Sequence, residues 1–272
     1  MHILRIVLLV IALVASAFLS WRFFDGALHY QDEASRIEMK PEADRLSDAQ
    51  VAEERTAITG LLAQTPEFAS YFEAMRAAYP SDHTRILNTF AERAVRGHRT
   101  GTPDFYLTEA TRALRHSRGI LAAKASDAAL QNVFDRQFDV ISAMEAADPQ
   151  TCTDFLHGGA ASGFFDFAQA NRPLMAKLAQ ASLDAMIDGQ KSTDKREAPG
   201  DSDFRTLEEA LRARGLGTPE IESLLDARTP DPPLPDAAMC HAGRVYLETL
   251  RDLPEDLRLR IYALAIELQA RS

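Results

Sequence analysis

From Ile6 to Trp21 the chain carries no charge, and beyond that stretch its apolar residues recur at helical rather than alternating spacing. Leu130, Val133, Phe134, Ile141 and Met144 fall on one face of a 3.6-residue repeat, and Leu257, Ile261, Leu264, Ala265 and Leu268 fall on another. No run of β-branched residues alternates with polar ones long enough to predict a strand. Helix-start signals agree with the spacing. Ser47 with Gln50 forms a capping box, Thr65-Pro66-Glu67 sets a capping hydroxyl before a first-turn proline and an acid, and Ser81-Asp82, Thr102-Pro103-Asp104, Ser126-Asp127, Thr218-Pro219-Glu220 and Leu253-Pro254-Glu255 repeat the logic. These marks predict helices near 44–63, 66–79, 82–96, 104–122, 126–147, 163–188, 203–214, 218–227, 236–251 and 254–270. The fold class is all-α: one N-terminal transmembrane helix, then an exported bundle of roughly nine to ten helices.

The uncharged N-terminal stretch extends from Ile3 to Phe24 if Arg5 and Arg22 snorkel into the headgroups. At about 1.5 Å per residue such a helix crosses a hydrocarbon core of about 30 Å. Trp21, Phe23 and Phe24 then lie at an interfacial aromatic belt. A cleavable signal peptide is the competing reading, with Ala15-Ser16-Ala17 as its small-x-small site. The anchor is preferred because no polar spacer separates Val14 from that site and because hydrophobicity continues through Phe18 and Leu19. Under either reading the rest of the chain is exported. Arg5 before the segment and Asp25, Asp32 and Glu33 after it leave the N-terminus inside. Residues 1–24 are thus read as anchor or signal peptide, 25–43 as a polar juxtamembrane linker, and 44–272 as one extracytoplasmic domain with a flexible insertion near 189–202. The expected location is a bacterial inner membrane, single-pass, with the C-terminal domain in the periplasm.

Charge alters the picture of partners more than of fold. The formal net charge of −10 divides unevenly: residues 1–84 hold seven Lys or Arg against twelve Asp or Glu, 85–124 hold eight against three, and 125–272 hold fifteen against twenty-five. An acidic surface repels phosphate and no nucleic-acid signature is present, so nucleic acid is excluded as a partner. The basic middle is the exception. Arg93, Arg96 and Arg99 lead into a Gly-Thr-Pro turn, and Arg112 and Arg115 follow on the next helix, so a helical hairpin could converge them on an anion. The alternative is that they neutralise the acidic C-terminal half.

Cys152 and Cys240 are the only cysteines, and an oxidising compartment favours a bridge between them. Two buried thiols, or a zinc set completed by His157 and His241, are the alternatives. No other motif fixes a reaction. The tract Gly158-Gly-Ala-Ala-Ser-Gly163 lacks the Lys-Ser/Thr ending of a P-loop and the spacing of a nucleophile elbow, and reads as a turn feeding Phe164, Phe165 and Phe167. His241 shares a helical face with Arg244 and Glu248, where a carboxylate could orient an imidazole. Glu145 and Asp148 are acids at helix ends, without the cleft signature a glycosidase acid needs.

The reading from sequence is therefore a membrane-anchored extracytoplasmic interaction or scaffold module, held to the membrane by its N-terminal helix and partnered by another envelope protein. No catalytic, cofactor-binding or metal-binding residue is assigned, and no cofactor is expected. A cell-envelope hydrolase and an anion- or metal-binding module are the alternatives.

Overall fold

The computed structural model describes residues 47–97, 101–158, 162–193, 196–226 and 228–271. The expected membrane span and its linker lie outside the described residues. Within the described residues no helix is long and apolar enough to cross a membrane. These residues form twelve α-helices and no strand: α1 (Asp48–Ala63), α2 (Pro66–Ala78), α3 (Pro80–Val95), α4 (Pro103–Ala122), α5 (Asp127–Ala147), α6 (Pro149–Leu156), α7 (Ser162–Ala170), α8 (Arg172–Lys191), α9 (Asp201–Ala213), α10 (Thr218–Asp226), α11 (Asp236–Asp252) and α12 (Glu255–Arg271).

Two of these depart from the sequence expectation, and both departures are caused by proline. The predicted single helix 163–188 is two, because Pro173 lacks the N–H and sterically opposes the carbonyl four residues back; α7 ends and α8 starts around Asn171. The short α6 was not expected at all. Its start is built from Asp148 as N-cap and Pro149 in the first turn, a signal as clear as the others. At eight residues it shows too little of a period to stand out.

Contacts divide the chain into two compact units, with the division falling inside α4 between Leu114 and Arg115. In the first, α1, α2 and α3 pack pairwise on one another. Ile58, Leu62, Phe68, Phe72, Met75, Ile86 and Phe90 are buried there together with Tyr106 and Leu107 of α4. Phe90 and Tyr106 stack at a tilt, 5.1 Å between centroids, and Arg55 donates to Asn88 across the α1–α3 seam at 2.9 Å. Tyr71 is so thoroughly buried that desolvation pushes its phenol up to about 12.

The second unit is organised on α5 and α11. α5 packs on α6, α8, α11 and α12, while α11 also packs on α6, α9, α10 and α12. All five residues of the 130–144 apolar face are buried, as are Leu257, Ile261 and Leu268 of the last helix. Phe134 meets Tyr262 edge to face at 5.2 Å, and the Tyr262 hydroxyl donates to Gln137 Oε1 at 2.6 Å. From the connection between α8 and α9, Arg196 donates to the carbonyls of Ala123 and Ala125, both at 3.1 Å, and pairs with Asp127. It thereby satisfies carbonyls just past the end of α4 that no helical N–H can reach.

Candidate functional site

α6 is fixed at its start by its own cap, and two features then close the seam between α6 and α11. Asp148 accepts from the backbone N–H groups of Gln150 and Thr151 and from the Thr151 hydroxyl, the last at 2.6 Å, and these bonds hold its carboxyl below the usual range. Its place as helix cap accounts for the acid that sequence alone had left as a loose candidate. Thr153 donates to the carbonyl of Asp236 at 2.9 Å. Between them Cys152 and Cys240 form a disulfide with a Cα–Cα distance of 5.6 Å, both residues fully buried. The bond consumes both sulfurs, so the thiolate zinc set considered with His157 and His241 is overturned. Within the described residues no grouping of His, Cys, Asp and Glu could hold a metal ion.

One residue beyond Cys240 a chain of alternating charges begins. His241 Nδ1 lies 3.1 Å from Glu145 Oε1 on α5, Arg244 Nε pairs with the other Glu145 oxygen, and Arg244 Nη1 pairs with Glu248 at 2.5 Å. Arg214, just past α9, closes on Asp252 and lies 3.9 Å from Glu248. The helical face of His241, Arg244 and Glu248 is thus completed by Glu145, a pairing across 96 residues that no local spacing signals. Arg244 Nη2 also stands 3.4 Å from His241 Nδ1. A neutral imidazole cannot donate to Glu145 and accept from Arg244 through one nitrogen, so the tautomer selects between the two partners. Chemically this is a tie between α5, α11 and the α9–α10 turn. Glu145 is committed to a guanidinium, whereas a glycosidase acid sits in an apolar pocket.

The basic island lies in the first unit for three of its five residues. Arg93 on α3 and Arg112 on α4 both reach Glu109, at 3.8 and 3.0 Å, and Glu109 is only 14% exposed. Sequence reading missed Glu109, although its i, i+3 spacing to Arg112 was the available signal. Arg96 follows at the C-cap of α3 and is exposed. Arg99 lies outside the described residues, and Arg115 belongs to the second unit. The hairpin therefore joins Arg93 and Arg112 through a shared carboxylate and leaves Arg96 on the outer surface. At the other end of α3, half-buried His83 is held below its ordinary range by desolvation and by the charge of Arg76.

The glycine-rich tract begins at Gly158, whose φ of +75° ends α6 in a conformation that favours glycine. Residues 159–161 lie outside the described residues. Beyond them Phe164 stacks on Phe155 at 5.8 Å and is buried, as expected of a segment that fills core. No protein-family model, curated protein or solved structure matches the chain.

Proposed function

We propose that the chain is a membrane-anchored, exported α-helical interaction module that recruits another envelope protein. The observation that carries the reading is the fully buried Cys152–Cys240 bond. Such a bond belongs to an oxidising compartment, in accord with an N-terminal segment that has the length, aromatic flank and charge bias of an inside-to-outside anchor. The ion chain around Arg244 ties three elements of the second unit together, which suits a rigid platform better than a reaction centre.

Arg96, beside the Arg93–Glu109–Arg112 triad, is the surface we assign to the partner. The triad carries two cations on one carboxylate, so with Arg96 this patch stays net positive on an otherwise acidic chain. Crosslinking and affinity capture from membranes carrying the anchored protein test the proposal, with Arg96→Glu as control. A specific envelope protein captured by the parent chain and lost from the variant supports it. Equal recovery with both would show that the partner does not bind at this surface.

A further inference from the structure

We propose that the proline-rich bridge between α10 and α11 is a docking segment for a partner protein with an aromatic-lined, basic-rimmed groove. The bridge reads Thr229-Pro-Asp-Pro-Pro-Leu-Pro235. It lies wholly inside the second unit, so the proposal stands independently of the Arg96 surface.

Both ends of the bridge are pinned. At its start the Arg228 N–H donates to the carbonyl of Glu222 at 3.2 Å, and the Ser223 hydroxyl donates to the carbonyl of Arg228 at 3.0 Å. At its finish Thr153 holds the carbonyl of Asp236, and the disulfide at Cys240 follows about one turn later. Between these points the chain bends at Asp231 and Pro232, which share a cis peptide bond, and then runs on without a bend to Pro235. Ring closure fixes φ near −65° at Pro232, Pro233 and Pro235, and a following proline pushes Pro232 and Leu234 toward extended ψ. Pro235 has φ −58° and ψ 146°, the values of a polyproline II helix. The run is therefore ordered before it binds, and a groove that takes this conformation orders little further.

A polyproline II helix repeats every three residues, so Pro232 and Pro235 share one edge, about 9 Å apart. Both are exposed, as is Pro233, while Leu234 is half-buried. Exposed rings at this spacing suit the flat aromatic side chains that line grooves for proline-rich segments. Prolines carry no N–H, so the run cannot satisfy its own carbonyls. Among the described residues no carbonyl from Thr229 to Leu234 accepts a hydrogen bond, which leaves them open to Trp or Tyr donors of a groove. Asp231 and Asp236 flank the run, both exposed and neither in an ion pair among the described residues. Arg228, the cation next in sequence, is paired with Glu222 at 3.5 Å. The two free carboxylates favour a groove with a basic rim over one with an acidic rim.

A fluorescently labelled WW domain, chosen because it binds the free peptide of residues 229–237, is the probe. Anisotropy is followed as the full-length, detergent-solubilised protein is added. Saturable binding at least as tight as that of the peptide is expected, because the fold presents the run already ordered. Pro233→Ala and Pro235→Ala should each weaken it about tenfold through loss of one apolar ring, and Pro230→Ala, outside the straight run, should leave it unchanged. Melting temperatures of all three should stay within a few degrees of the parent, since each change removes only a ring at the surface of a connection. No saturable binding by the protein, binding more than tenfold weaker than the peptide's, or binding that Pro233→Ala and Pro235→Ala both leave unchanged overturns the proposal.

Discussion

Gly189, in the last turn of α8, lies directly against the backbone carbonyl of Leu121 in the last turn of α4, so closely that a Cβ on the glycine would collide with the oxygen. Backbone cannot rotate aside as a side chain can, and the approach holds the end of α8 over the α4–α5 turn. Asp188 beside it accepts from the Ser126 N–H at 2.6 Å. Gly189→Ala should therefore cost about 2–3 kcal/mol by overpacking, read as a shift in the urea midpoint. Gly60 in α1 has open space around it, so Gly60→Ala should stabilise by about 0.5–1 kcal/mol. Equal effects at the two positions would contradict the close approach.

The disulfide closes a loop of 88 residues. Replacing both Cys152 and Cys240 with Ser should remove about 4 kcal/mol in the chain-entropy account and lower the melting temperature by roughly 10 °C. Calorimetry of the oxidised parent and the double variant gives the number. Coincident melting curves would mean that the seam is held by Thr153 and apolar packing alone.

Acid sensitivity follows from three caps and ties. Hydrogen bonds from Thr151 to Asp148, from Ser126 to Asp188 and from Arg260 to Asp203 each hold a carboxyl below its ordinary range. A group with a depressed folded pKa contributes stability that is fully present above its unfolded value, about 3.9 for Asp, and is lost as pH falls through the folded value. Melting temperature should thus be level with respect to these groups above about pH 5 and decline below about pH 4. Asp148→Asn should flatten part of that decline. A variant with the parent's acid profile would refute the role of the Asp148 cap.

On the basic hairpin the two readings separate at single residues. Arg112→Glu sets a second carboxylate beside Glu109 and removes a charged hydrogen bond, so it should destabilise by about 2 kcal/mol, and the penalty should shrink in high salt. Arg96→Glu should change stability by no more than about 0.5 kcal/mol while weakening capture of the partner. The same loss of stability from both would make Arg96 part of the internal neutralisation.

The features legible in the sequence are those whose signal is local. Thr102 accepts from Phe105 N–H at 3.2 Å and Ser126 from Ala129 N–H at 3.4 Å, the caps their motifs implied. Ser81-Asp82 misled by two residues: Pro80 already supplies a preformed first turn to α3, and Asp82, buried inside that turn, ties to Arg85 at 2.7 Å. Thr65 caps through backbone alone, its hydroxyl donating instead to Leu61 at 3.1 Å. The cysteine pairing was legible because only one pairing exists. Glu145 with His241 and Arg244 was not, since their meeting depends on how α5 packs on α11. Glu109 has the i, i+3 spacing to Arg112, but that Arg93 reaches the same carboxylate depends on how α3 packs beside α4, which local spacing does not carry.

The proposed function requires a disulfide-stapled helical domain held at a membrane outside the cytoplasm. Alkylation of intact cells, carbonate washing of their membranes and non-reducing peptide mass spectrometry of the pellet test this in one experiment. A Cys152–Cys240 linked peptide is expected in the washed membrane fraction, from a chain that retains its N-terminal segment. Alkylated Cys152 and Cys240, or a linked species recovered only in the wash with a mature N-terminus at Phe18, would contradict it.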